Sequence, residues 1–385
     1  MEENKKNGIL VILIQSPPVC DEARPSRALY LFNYIRKKFP ETFIIMQDEN
    51  KGIRIDNLIL VKPILPITGN LVLLKGILFR LKASLYIIYF VIKNNIKIVI
   101  VRGYDNCIYL PILKLFKIKI IYDFHGLASV EQHYQNRHIR ATFVKIIETI
   151  ILKLSDKILI VSNGVKEQIS WAANKSIYLP NGIDLKKIAS IKENNVNQLN
   201  GKKTIGFIGN SEDYMQITDI CEAVKYVDNC IAIIIGWGKD ISQLKKKYEA
   251  SDKIWFTGRL PPEEAYAILK RCDIFVLPYS DCDDNSKIPD FYSNRKTKEY
   301  IAIGKPIVVA DIIGKEKVLI NGKNCLYYVP GDPEDLAKKI TVLLNNRQLY
   351  LKLQMNIEAL APGLTWENII MSSGLLDEIA VIRKL

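Results

Sequence analysis

The sequence has no CxxC pair, no short-period repeat and no low-complexity tail, and it holds only three histidines. The seven cysteines are scattered, at Cys20, Cys107, Cys221, Cys230, Cys272, Cys282 and Cys325. An odd, unpaired set argues for reduced thiols in a cytosol, most of them structural. The opening MEENKKNG is polar and runs straight into a strand pattern, which reads as the absence of a signal peptide. No apolar run crosses a bilayer's thickness without charge; Leu71 to Ile92 comes nearest, and Lys75, Arg80 and Lys82 interrupt it. Acids are the scarce charge, 41 against 54 Lys and Arg, for a net +13. That excess suits an acidic partner: nucleic acid, an anionic membrane surface or a phosphorylated substrate. No nucleic-acid module is recognisable and the aromatics do not interleave with a basic stripe, so no nucleic acid is expected.

What the chain has is length and alternation. Its 385 residues exceed one ordinary core, and 49% are apolar, so two domains are expected. Strand-like runs fall at Ile9–Ile14, Phe43–Met46, Ile98–Arg102, Ile118–Tyr122 and Lys157–Ser162. A second series falls at Thr204–Ile208, Ile231–Ile235, Ile254–Phe256, Ile274–Leu277 and Ile307–Ala310. Helical patterns separate them, among them Arg27–Lys38, Asp219–Val227, Ile241–Glu249, Pro262–Arg271 and Pro333–Leu344. Continuous apolar strands alternating with helices predict parallel sheets covered on both faces. The expected division is residues 1–188, a polar linker at 189–203, a second domain at 204–362 and a helical tail at 363–385 packing back toward the first domain.

In such sheets ligands sit beyond the carboxyl ends of the strands. The loops there read GNSED (209–213), GWGKD (236–240), TGRLPPEE (257–264), PYSDCDD (278–284) and ADIIG (310–314). Glycine at these ends lets backbone N–H groups approach an anion. The stretch NRKTKEYIAIGKPIVVADIIG (294–314) gathers Asn294, Lys296, Thr297 and Glu299 at a helix start, which Gly304 closes before a buried strand. A cation beside free helix N–H groups suits an anion, and a carboxylate suits a vicinal diol. A solvated helix face is the bland reading of the same charges.

The ordered segments VSNGVKEQI, YLPNGID, IGFIGN, IIIGWGKDISQLKKKYE, IWFTGRLPPEEAYAILKRCDIFVLPY, KTKEYIAIGKPIVVAD and NGKNCLYYVPGDPEDLAKKI resemble the family-4 retaining glycosyltransferases. The resemblance is continuous from about Asp156 to Leu344 and looser before, where YDFHG (122–126) matches best. It implies an α/β GT-B fold, two doubly wound Rossmann-like domains facing a central cleft. It also implies a nucleoside-diphosphate sugar as co-substrate, no metal or other cofactor, and a glycan or lipid-linked glycan as acceptor. The donor would lie mainly on the second domain and the acceptor on the first.

Carried over residue by residue, the resemblance gives Glu299 the ribose hydroxyls and Lys296, with Asn294 and Thr297, the pyrophosphate. Gly258, Arg259 and Leu260 match the loop that touches the base, and Gly236 another donor loop. Asn210 and Ser211 would contact phosphate, and His125 would approach the transferred sugar. Lys296 and His125 are thus the catalytic candidates. Arg24, Arg27 and Asp290 are further candidates for phosphate or acceptor contacts. Two departures stand out. Phe291 occupies the place where many members carry a first Glu, and NSEDYMQ lacks the Arg and Lys that many members place after the GFIGN strand. Two alternatives stay open: a sugar-nucleotide epimerase of the same fold, and a catalytically silent sugar-nucleotide-binding protein. The segment 70–97, apolar on most sides and studded with Lys and Arg, is either a buried helix or a membrane-resting face. The expected place is cytoplasmic, peripheral on the inner face of the cell membrane.

Overall fold

The computed structural model describes residues 8–13, 27–47, 56–62, 72–104, 108–134, 137–193, 201–210, 215–280, 295–312 and 318–384. They divide into two units, 1–180 with 369–385, and 181–368.

Unit 1 is built on a seven-stranded sheet in the order β3-β2-β1-β4-β5-β6-β7, parallel throughout. The strands are β1 (Gly8–Leu13), β2 (Thr42–Gln47), β3 (Leu58–Val61), β4 (Ile96–Arg102), β5 (Lys119–Phe124), β6 (Lys157–Ile160) and β7 (Ser176–Tyr178). Unit 2 carries six parallel strands in the order β10-β9-β8-β11-β12-β13. They are β8 (Lys203–Ile208), β9 (Cys230–Ile235), β10 (Ile254–Gly258), β11 (Ile274–Leu277), β12 (Ile307–Ala310) and β13 (Leu326–Tyr328). All six side chains of β9, CIAIII, are buried, as a strand with helices on both faces requires. Each sheet reverses its strand order once, at β1/β4 and at β8/β11. In a doubly wound sheet a ligand crevice opens at that reversal.

The ten expected strands are present; only Ile14 of those runs lies outside the described residues. Edge strands β3, β7 and β13 are additional, and each has only three or four residues, too few to show a period. The unit boundary differs from the expected 188. Residues 181–190 already belong to unit 2, where Ile188 is buried in the core. The backbone makes this join: Ile183 donates to the Leu364 carbonyl and Trp366 to the Ile183 carbonyl. Gly182 sits beneath Trp366 so closely that a Cβ would collide with it. The polarity of the following stretch does not mark the crossing point. Residues 369–384 belong to unit 1, where Lys157 pairs with Glu378 at 2.8 Å and Arg383 with Glu41 at 3.2 Å.

Candidate functional site

In unit 2 the carboxyl ends of β8, β9 and β10 each finish in glycine, and the three are stitched together. Gly209 donates its N–H to the Ile235 carbonyl at 2.9 Å, and Gly236 to the Gly258 carbonyl at 3.0 Å. Neither Gly209 nor Gly236 has room for a side chain. A Cβ on Gly236 would strike the Gly209 carbonyl oxygen, and one on Gly209 would strike the Lys296 side chain. Lys296 therefore lies directly over the end of β8, at the strand-order reversal, with its Nζ 5.9 Å from the Phe207 ring centroid.

The helix Arg295–Ile303 is held there by its own sequence. Tyr300, one turn after Lys296, is fully buried, stacks on Phe275 at 4.2 Å and accepts the Ile208 N–H at 2.9 Å. Lys298 points another way and donates to the Asn181 carbonyl at 2.8 Å. Residues three and four apart share a helix face, so Glu299 stands on the side of Lys296, as Tyr300 does. Thr297 and Glu299 are buried. At the neighbouring strand end the Arg259 guanidinium lies 4.7 Å from the ring of Trp237, an exposed side chain following Gly236. Leu260 packs against the core below. Asn210, half-buried, follows Gly209. The sheet edge thus gathers Asn210, Gly236, Gly258, Arg259, Leu260, Lys296, Thr297 and Glu299. Ser211, Asp290 and Asn294 lie outside the described residues, as do Phe291 and Arg24. Trp237 was missed in the sequence; its signal was an aromatic between the two glycines of GWG.

In unit 1 the end of β5 carries a charge network. Asp123 is buried and takes the Arg27 Nε–H at 2.8 Å. Arg27, also buried, gives its other N–H groups to the Leu179 and Pro180 carbonyls at 2.6 and 3.1 Å. The structure therefore gives Arg27 a different occupation from the phosphate contact expected of it. Its charge is spent inside unit 1, because an ionised Asp123 in the core needs a partner. Burial by itself would raise the Asp123 pKa, but Arg27, aided by His125 and Arg102, holds it well below the usual carboxylate range.

His125 Nε2 lies 3.1 Å from Asp123 Oδ2, and 27% of its side chain remains exposed. Burial, with Arg102 and Arg27 nearby, pushes its pKa down to about 4 against the pull of Asp123. At neutral pH the ring is uncharged. An ionised Asp123 can only accept, so Nε2 carries the proton and Nδ1 is an acceptor. The loop behind His125 is fixed by Glu148, whose buried carboxylate receives the N–H groups of Ala128 and Ser129 at 2.7 and 3.3 Å. It also receives the Ser129 hydroxyl at 2.7 Å. Burial raises the Glu148 pKa against these bonds.

Residues 190–359 match the family described as glycosyl transferases group 1, and residues 16–187 match glycosyltransferase family 4. Each of these two models spans somewhat less than half of the chain, together they span most of it, and both describe glycosyltransferases. Two uncharacterized glycosyltransferases of Methanocaldococcus jannaschii are 28% identical over 254 residues and 26% over 221. These matches span 62% and 56% of this chain and 62% and 58% of the relatives' own lengths. Among solved structures, sucrose-phosphate synthase from Thermosynechococcus elongatus superposes with a TM-score of 0.72 at 15% identity. It covers 98% of this chain and 99% of its own. HepE of Anabaena, solved with UDP-glucose, gives 0.65 at 14% identity over 97% and 99%. These likenesses show the GT-B fold, two Rossmann-like parallel-sheet domains.

Proposed function

We propose that the protein transfers a sugar from a nucleoside-diphosphate sugar to a glycan or lipid-linked glycan, with retention and without a metal. The observation that carries the reading is the sheet edge in unit 2, where Lys296 lies against Gly209 beside a buried Glu299. Glycines there give N–H groups close access to an anion, and a cation stands among them. Lys296 and the helix start take the pyrophosphate. Glu299 accepts from the ribose diol, each charge-assisted bond worth roughly 1.5–3 kcal/mol. Gly258, Arg259 and Leu260 face the base, and Asn210 a phosphate oxygen.

In the reaction the bond from the anomeric carbon to the phosphate oxygen breaks and the acceptor oxygen takes that carbon from the same face. The acceptor's proton goes to the departing phosphate. Charge grows on the leaving group, so fixed positive charge lowers the barrier more than it tightens the ground state. Lys296 supplies that charge in place of a metal ion. His125, neutral with an accepting Nδ1, accepts a hydrogen bond from a hydroxyl of the transferred sugar.

The test is a panel of nucleotide sugars in thermal unfolding, followed by transfer assays with the best ligand in chelator. A donor that binds the folded state raises the midpoint by mass action. The expected result is one donor with a clear rise and chelator-insensitive transfer. No rise with any donor would sink the reading; binding with C2 inversion of the free sugar nucleotide would favour an epimerase.

A further inference from the structure

The chain has only three histidines, and two of them face each other. His133 stands near the end of the helix Ala128–Tyr134, and His138 is the first residue of the helix His138–Leu154. Their Nδ1 atoms lie 3.1 Å apart, and the rings meet edge to face with centroids at 4.5 Å. Both side chains are exposed. Neither belongs to the donor edge of unit 2 or to the Arg27–Asp123–His125 network.

The scaffold beneath the pair is fixed. Arg137 donates its N–H to the Gln132 carbonyl at 3.0 Å, and these two residues immediately precede His138 and His133. One backbone bond thus sets the spacing of the two histidines. At the far end of the shorter helix, the Glu148 carboxylate of the longer one takes the N–H groups of Ala128 and Ser129. Ser129 and Gln132 are buried, the two helices pack on each other, and His133 is left at the rim. A pair carried on two packed helices loses little conformational freedom when an ion binds between the rings.

Two imidazole nitrogens at this separation form one edge of a coordination polyhedron. With metal–nitrogen bonds of about 2.0–2.1 Å, a 3.1 Å edge subtends roughly 95–100° at the ion. That angle lies between the square-planar and the tetrahedral ones, and imidazole suits zinc, copper and nickel. Among the described residues no group of three or more His, Cys, Asp or Glu could hold a metal, so oxygen-seeking Mg²⁺ and Ca²⁺ find no set of carboxylates. Arg137 and Arg140, both exposed, flank His138 in sequence, and the free N–H groups of the longer helix begin here. A cation is therefore not drawn in by charge; it has to be held by nitrogen lone pairs.

We propose that His133 and His138 form a two-imidazole site for a divalent transition-metal ion of the nickel, copper and zinc class, with water in the remaining positions. In the ion-free pair one Nδ1 donates its hydrogen to the other. On binding, both Nδ1 lone pairs turn to the ion, and that hydrogen moves to Nε2 of its own ring. The ion ties the end of the shorter helix to the start of the longer one, and so stiffens the segment that begins three residues after His125. It takes no part in the transfer proposed above, which needs no metal and on which this site does not rest.

The test is calorimetric titration of the full chain with Ni²⁺, with Mg²⁺ as the comparison. The native protein is expected to take up one Ni²⁺ per chain and no Mg²⁺, and excess Ni²⁺ should raise its unfolding midpoint by mass action. Losing a mere supporting partner of a metal ligand costs about 10–100-fold in affinity, so His133→Ala and His138→Ala, each removing a ligand, should weaken Ni²⁺ binding by about tenfold or more. Both positions are exposed, so the unfolding midpoints without metal should stay at the native value. His125→Ala should keep the native Ni²⁺ affinity. With Cu²⁺, the electron paramagnetic resonance spectrum should show coupling to two nitrogens in the native protein and to fewer in either variant. No Ni²⁺ uptake overturns the proposal, as does uptake that both variants retain, which would assign the ion to the thiols. Mg²⁺ uptake equal to that of Ni²⁺ would contradict a nitrogen-ligand site. Ni²⁺ uptake lost in both variants, without binding of any nucleotide sugar, would leave this site standing and sink the transfer reading; the opposite pair of results would do the reverse.

Discussion

The two units prepare their sheet edges in opposite ways. Unit 2 clears space: glycines end β8, β9 and β10, and a cation is laid over the bare backbone of Gly209. Unit 1 fills space: at the end of β5 a buried Arg27–Asp123 pair holds His125 from behind. An edge made of a buried carboxylate and an imidazole is sensitive to acid. The two edges can therefore be broken separately, and with them the proposed donor binding and the proposed acceptor-side chemistry.

The largest effect should come from the filled edge. Asp123→Asn leaves the Arg27 guanidinium buried without its counter-charge, and breaking such a pair costs about 3–5 kcal/mol. Urea unfolding should show a large loss of stability confined to the unit 1 transition. Next, His125→Ala should lower transfer by roughly 10²-fold, the scale of losing one oriented polar contact to a reacting centre. Nucleotide affinity, measured separately, should be unchanged; normal transfer by this variant would return His125 to a packing role.

On the cleared edge, Lys296→Ala should reduce kcat by about tenfold or more, with a smaller change in donor affinity. Equal losses in binding and none in kcat would mean that Lys296 only holds the ground state. The smallest effect is that of pH. Folding keeps His125 neutral down to about 4, while the unfolded chain protonates it near the ordinary 6.5. The unfolded state thus binds more protons in that window, so stability falls as pH drops from 6.5 toward 4. His125→Ala should flatten that slope, and a slope of the opposite sign would contradict the burial of a neutral ring.

Much of this was legible in the sequence because it is local. The long strands announce themselves by continuous apolar runs, and the Lys296–Glu299 helix start by its position between a loop and a buried strand. Gly209 was visible as a strand-ending glycine, but its closeness to Lys296 depends on two segments more than eighty residues apart. The Asp123–Arg27 pair was hidden for the same reason, although an Asp within the apolar run IIYDF signals a buried charge seeking a partner. Glu148 was hidden by its periodicity, being one polar residue on the inward face of an otherwise apolar helix. His138–Leu154 looks like one thoroughly hydrophobic helix until burial separates inside from outside. The crossing at 180 was missed because Ile183 and Gly182 are held by Leu364 and Trp366, contacts that composition does not carry.

The central claim is that the edge of unit 2 holds a nucleotide sugar, and Glu299 tests it most directly. Calorimetric titration of the native protein and of Glu299→Gln, with the nucleotide sugar that most raises the unfolding midpoint, measures the ribose contact alone. The account predicts a loss of about 1.5–3 kcal/mol in binding for the variant, with an unchanged unfolding midpoint in the absence of ligand. Equal affinity in the two proteins would contradict it, and the buried carboxylate would then be a structural element of the helix rather than part of a donor site.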